Sequence, residues 1–211
     1  RELYEQYDLL NIHWESLPAG AQKMIEKIRS QSGTLRARIG EILTLGSLRS
    51  ESTSCDANSP VMLNGLLDDV VEELGAFAGR KQVVVAVVGD EVAVTSDTRQ
   101  LRILFMNLIS NAISYSQDGG RVEVVVGDRE GGFVGISDLG IGISPEALPH
   151  VFEDFYRSQE AAAFNPKSTG LGLAIVRQIV QNLGLTIEVR SDVGKGTAFK
   201  GHIPDGSQAL T

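Results

Sequence analysis

The period of the hydrophobic pattern changes once, near residue 50. From about Pro18 to about Arg49, apolar residues recur at Ala21, Met24, Ile28, Leu35, Ile39, Ile42 and Leu45. That is close to a heptad stripe, interrupted at Gln31 and Arg38. The stretch "LYEQYDLLN" reads as the end of an earlier helix. "HWESLPAGA" reads as a turn and a restart, with Ser16 as N-cap and Pro18 in the first turn. A helix of this length has no core of its own. Two partners fit the stripe: a second copy of a helical hairpin, which makes a homodimer through the N-terminal helices, or the part of the chain that follows.

"RSESTSCDANSPV" is a polar break, and beyond it the pattern is mixed. Val61 to Ala78 reads as helix, and "QVVVAVVG" and "EVAVT" as strands. Asp97 caps a helix to about Ser116. "RVEVVVGD" and "GFVGISD" read as a hairpin, and the helix after Gly172 precedes the strands "TIEVRS" and "GTAFKGHIP". Strands separated by helices predict a two-layer α/β sandwich behind a long helical hairpin segment. The divisions are 1–52 for the helical part, 53–60 for a linker, 61–205 for the α/β domain and 206–211 for a tail.

Composition narrows the function classes. The 211 residues carry a net charge of −8, which argues against a nucleic-acid partner. One cysteine, Cys55, allows neither an internal disulfide nor a cysteine metal cage. The longest aliphatic run, Val83 to Val88, is too short to span a bilayer, and no signal peptide is visible. The chain opens at Arg1 in mid-pattern, as a fragment of a longer protein would, so a membrane-anchored parent is compatible with a cytoplasmic location for this part.

Four short motifs carry chemistry. In "NLISNAISYS", Asn107 and Asn111 lie four apart on one helical face. Two amides on an apolar helix need partners; a hard cation such as magnesium or neighbouring backbone would serve. In "SDLGIGI", Asp138 ends a strand, where a carboxylate can accept from an exocyclic amine, and Gly140 and Gly142 let the backbone turn close to a flat ligand. "VFEDFYR" places Phe152 and Phe155 three apart as an anchor on a short helix, which either packs a loop or hinges a mobile lid formed by the long connection from Ile143 to Ser168. Arg157 is either a phosphate contact or a solvated arginine. Finally, "NPKSTGLGLAIVRQIV" starts a helix on Gly170-Leu171-Gly172. Glycine is a poor helix former, but it allows a polyphosphate to reach the free N–H groups of a helix start. Lys167, Ser168 and Thr169 add donors beside it. Neither a P-loop nor a dinucleotide-binding glycine pattern is present.

In this order the motifs resemble the asparagine, first glycine, phenylalanine and second glycine boxes of sensor histidine kinases, within the ATPase family shared with DNA gyrase, Hsp90 and MutL. The resemblance runs from Ser59 to about Pro204 and includes "SDVGKGTAF". It implies the Bergerat-type ATP-binding fold, with ATP and Mg2+ as ligands. Asn111 would ligate the metal, with Asn107 as a second ligand; these two are also the implied catalytic residues. Tyr115 would pack on adenine, Asp138 would bind its amino group with Gly140 and Gly142 alongside, and Thr197 would lie near the base. Gly170, Leu171, Gly172 and Leu173 would face the phosphates.

Two positions depart from the family pattern. Ser114 stands where a lysine is common, so Lys167 or Arg157 would have to substitute, and Ser168 replaces a glycine. The helical start resembles the second helix of the family's dimerisation and phosphotransfer domain. His13 is not the phosphoacceptor: it lies in the turn, only ~35 residues before the linker, where a two-helix hairpin needs about 50. No phosphoacceptor is therefore expected in this chain, and none is assigned to His150 or His202. The implied function is transfer of the ATP γ-phosphate to a histidine upstream, for relay to the aspartate of a response regulator receiver domain. The alternatives are a non-catalytic nucleotide-sensing or dimerisation module of the same fold, and an ATPase that works by closure.

Overall fold

The computed structural model describes residues 14, 17–50, 59–128 and 132–204. His13, Ser16, Cys55, the helical arm before Trp14 and most of the anticipated linker lie outside the described residues. The chain divides into two compact units, Arg1–Gly40 and Glu41–Thr211. Helix α1 (Ala19–Ser50) crosses that division, so its last turns belong to the second unit. Met24, Ile28, Leu35 and Ile39 of its stripe are exposed, whereas Leu45 and Leu48 are buried.

The second unit continues with β1 (Ser59–Met62), α2 (Leu63–Lys81), β2 (Val84–Gly89), β3 (Ala93–Ser96) and α3 (Thr98–Tyr115). Then come β4 (Arg121–Gly127), β5 (Gly132–Asp138), α4 (Gln159–Phe164), α5 (Gly172–Leu183), β6 (Thr186–Asp192) and β7 (Gly196–Ile203). A five-stranded sheet has the order β2-β4-β5-β7-β6. It is antiparallel except for β2 and β4, which run parallel. β1 and β3 form a separate antiparallel pair, Ser59 opposite Ser96.

Alternation sets which face of the sheet is covered. In β4, Val122, Val124 and Val126 are buried; in β5, Val134 and Ile136 are buried. They meet Leu67 and Val70 of α2, Leu101, Phe105, Ile109 and Ile113 of α3, and Ile175 and Ile179 of α5 in one core. The opposite face carries Glu123, Glu188, Arg190 and Lys200, as expected of an antiparallel sheet with one solvated side. The two-layer α/β sandwich expected from the sequence is therefore present.

Local chemistry fixes the element that positions the site. Asp97 caps α3 by accepting from the Gln100 backbone N–H at 3.0 Å. No basic residue occupies the last turn of α3. Its C-terminal carbonyls are met instead by Lys81, whose ammonium donates to Ile113, Ser114 and Ser116 carbonyl oxygens at 3.1, 2.7 and 2.7 Å. Desolvation pushes the Lys81 pKa down from its ordinary value, and Asp118 partly offsets this.

Two expectations are corrected. The segment from Val61 does not begin as helix: Pro60 and Val61 sit in β1, with Val61 opposite Val94, and α2 starts at Leu63. "VFEDFYR" is a run of turns rather than a short helix. Phe152 packs edge-on against Phe199 at 6.4 Å, but Phe155 is exposed, in the left-handed region at φ 62°. A lone pair of phenylalanines at i and i+3 does not make a helix when the backbone between them turns to present Asp154 to Arg49 and Arg177.

Candidate functional site

Side chains spaced 3.6 to the turn along α3 share a stripe. Asn107, Ser110, Asn111, Ser114 and Tyr115 of that stripe form one wall of a cavity of about 250 Å³. Across it stand Asp138 at the end of β5, Gly142 beyond it, Thr197 and Phe199 of β7, and the segment Ser168–Leu173 that opens α5, of which Leu171 alone is not on the lining. The Asn107 amide N–H donates to the Ile103 carbonyl at 2.7 Å, which leaves Oδ1 for another partner. The Asn111 amide has no hydrogen-bond partner among the described residues. A Cβ added at Gly172 would come 3.1 Å from Asn107 Oδ1 and 3.5 Å from Asn111 Nδ2, so Gly172 keeps the space beside the amide pair.

Asp138 is 8% exposed and accepts from the Gly140 N–H at 2.8 Å. Burial raises its pKa from the ordinary carboxylate value, against the lowering effect of hydrogen bonds from the Gly140 and Thr197 backbone amides. The loop after it is locked by close backbone approach. A Cβ at Gly140 would lie 2.1 Å from the Tyr115 carbonyl oxygen, and one at Gly142, where φ is +68°, would lie 2.0 Å from that of Asp192. Ser191 completes the lock: its hydroxyl donates to the Gly196 carbonyl at 2.9 Å and accepts from the Ile143 N–H at 2.8 Å. With that proton used, Thr197 Oγ1 is the donor in its 2.9 Å contact with Ser191.

The connection from Ile143 to Ser168 contributes Tyr156, Arg157, Ser158, Ala161 and Asn165 to the cavity lining. Ser158 caps α4 by accepting from Ala161 N–H. Arg157 donates to the Asn165 carbonyl at 2.6 Å and the Ala162 carbonyl at 3.4 Å, while its Nε is buried without a partner. The Tyr115 ring stacks on Phe164 at 6.3 Å, and its hydroxyl donates to Ser168 at 3.2 Å. α5 opens at Gly172 with no side-chain hydrogen bond from its cap residue Leu171, and Gly172 and Leu173 of its first turn line the cavity. Gly170, at φ +78°, is required by the chain itself: a Cβ there would meet the Phe155 carbonyl carbon at 2.7 Å.

Of the residues singled out from the sequence, Asn107, Asn111, Tyr115, Asp138, Gly142, Arg157, Ser168, Thr169, Gly170, Gly172, Leu173 and Thr197 line this one cavity. Gly140, Lys167 and Leu171 do not. Gly140 and Leu171 are buried beside it, and Lys167 is exposed. Glu41, Ser114, Tyr156 and Phe199 also line it and were not assigned from the sequence.

Residues 96–207, more than half of the chain, match the family of histidine kinase-, DNA gyrase B- and HSP90-like ATPases. The chain belongs to that family. Within it, the sensor histidine kinase RppB of Synechocystis is 34% identical over 184 residues, 86% of this chain and 40% of that protein. The phosphate regulon sensor protein PhoR of Pseudomonas aeruginosa is 31% identical over 182 residues, 85% of this chain and 41% of that protein. The chain thus spans about two fifths of the length of these curated relatives. Among solved structures, the mycobacterial sensor histidine kinase MprB superposes with a TM-score of 0.61 at 29% identity, covering 70% of this chain and 97% of that one. Full-length ShkA in complex with AMPPNP superposes with a TM-score of 0.73 at 24% identity, covering 89% and 39%; at that identity the likeness speaks for the ATPase fold alone. No described helix is long and apolar enough to cross a membrane.

Proposed function

We propose that this chain is the ATP-binding catalytic core of a sensor histidine kinase, transferring the ATP γ-phosphate to a histidine upstream of Arg1, for relay to a response-regulator aspartate. The observation that carries this is the convergence of an amide pair, a buried carboxylate and an uncapped helix start on one cavity. Asp138 accepts from the purine amine. The first N–H groups of α5 take the phosphates, supported by the helix dipole. Neutral backbone donors of this kind stabilise charge that develops during phosphoryl transfer without needing to reorganise.

The donor set fits magnesium. The Asn107 amide nitrogen is already engaged by the Ile103 carbonyl, so its oxygen is the free end, and Asn111 has no competing partner among the described residues. Bound there with the two amide oxygens, the ion would neutralise phosphate charge. Arg157 serves first as a brace that ends α4, not as the replacement for the lysine absent at Ser114. Lys81 holds the Ser114 carbonyl and secures the α3 end on which Tyr115 sits.

The test is incubation with γ-labelled ATP. The 211-residue chain is expected to bind ATP without becoming labelled. A longer protein carrying its upstream segment is expected to gain an acid-labile phosphate. Stable label on the short chain that is lost with His13→Ala would contradict the assignment, and nucleotide binding by the long protein with no transfer would select a non-catalytic sensing module. We further propose that the exposed apolar stripe of α1 pairs with a second copy. Sedimentation of the chain as dimer is expected; a monomer at all concentrations would remove the pairing.

A further inference from the structure

The start of α5 has a charge requirement that its own cap position does not meet. Leu171 at the cap makes no side-chain hydrogen bond to the helix. An anion is favoured at such an end. The chain supplies one. Thr169 Oγ1 accepts from the Leu171 N–H at 3.1 Å and donates to a carboxylate oxygen of Glu41. Glu41 and Thr169 line the same cavity as Gly170 and Gly172.

Glu41 is presented by a fixed element. It sits in the last turns of α1, within the compact unit that also contains the cavity. Leu45 and Leu48 beyond it are in the core. The Leu48 carbonyl accepts from Asn182 at 3.0 Å, and Arg49 pairs with Asp154 at 2.8 Å, which Arg177 also contacts at 3.1 Å. Glu41 thus stands in the wall of the cavity, on the side where α5 begins.

We propose that Glu41 is an internal competitor of the nucleotide phosphates. This rests on the reading of the cavity as an ATP site. The Thr169 hydroxyl has one proton to donate, and it cannot serve both the carboxylate and a phosphate oxygen. A triphosphate at the α5 start also brings like charge against the Glu41 carboxylate. Binding therefore requires the contact to open, and by linkage whatever holds Glu41 in place weakens the triphosphate by the same factor by which the triphosphate loosens Glu41. Adenosine, which has no phosphate, does not feel the competition.

Calorimetry on the 211-residue chain tests this with magnesium AMPPNP and with adenosine, for the wild type, Glu41→Gln and Glu41→Ala. Circular dichroism verifies that each variant is folded. AMPPNP is expected to bind about five- to tenfold tighter to both variants, with adenosine unchanged. Unchanged or weaker AMPPNP binding in the variants overturns the proposal while leaving the ATP site intact, as does an equal gain for adenosine. Absence of any nucleotide binding in all three proteins overturns the ATP reading and the competition together.

Discussion

Asp138→Asn lowers affinity for adenine nucleotides by about a hundredfold and, at pH 7, raises the melting temperature. Both effects follow from one buried carboxylate. An asparagine keeps its one acceptor oxygen for the Gly140 and Thr197 N–H groups and turns its amide N–H donor toward the purine amine. Losing a charge-assisted hydrogen bond and leaving a donor facing a donor costs about 3 kcal/mol, which is roughly that factor in binding. The stability effect has the opposite sign. The folded-state pKa of Asp138 is raised above its unfolded value because burial disfavours the charge. A raised pKa means that the folded state gains most when the carboxyl is protonated and loses that gain as pH rises through the folded value. At pH 7 the wild type carries a desolvated carboxylate and the variant does not. The difference in melting temperature therefore narrows as pH falls below the folded pKa. Thermal melts from pH 7 to pH 4, with nucleotide titrations at pH 7, measure both. A variant that binds ATP like the wild type would remove Asp138 from its assigned role, and one less stable at pH 7 would mean that the Gly140 and Thr197 hydrogen bonds outweigh the burial of the charge.

Gly142→Ala is expected to destabilise the protein by about 4 kcal/mol, a melting shift of roughly 10 °C for a unit of this size. The alanine would carry strain at φ +68° and place its Cβ 2.0 Å from the Asp192 carbonyl oxygen. Relief requires the loop beyond Asp138 to part from the β6–β7 turn, which breaks the 2.8 Å hydrogen bond from Gly194 N–H to the Ile141 carbonyl. Gly194→Ala is the control. It has a similar φ of +75°, but nothing lies within 4 Å of its added Cβ. Conformational strain alone costs about 1 kcal/mol, so the control should lose only about 2–4 °C. Equal shifts for the two variants would mean that close backbone approach is not what Gly142 provides.

Much of this arrangement is legible in the chain because it is local. Asp97 before an apolar helix and alternation through Arg121–Gly127 and Gly132–Asp138 each follow from side-chain chemistry within a few residues. What is not local was not legible. β1 is four residues long and contains Pro60, and it is a strand because Val61 finds Val94 more than thirty residues on. The parallel pairing of β2 with β4 depends on the course of α3 between them. The glycines at 170 and 172 have spacing that suggests room for phosphate, yet their nearest constraints are the Phe155–Tyr156 backbone and the Asn107 amide. Glu41 reads as one more charged residue on a helix surface. Only the fold brings it to Thr169. Arg157 looks like a free cation in sequence, but the carbonyls at the end of α4 hold it.

In the proposed function, one cavity takes ATP with its purine on Asp138, its metal on Asn111 and its phosphates at the start of α5. A crystal structure of the chain grown with AMPPNP and magnesium tests it most directly. The expected result is the purine amine within hydrogen-bond distance of the Asp138 carboxylate, a magnesium ion on the Asn111 amide oxygen, and phosphate oxygens on the backbone N–H groups between Gly170 and Leu173. Nucleotide bound elsewhere, or this cavity empty at saturating ligand, would contradict it.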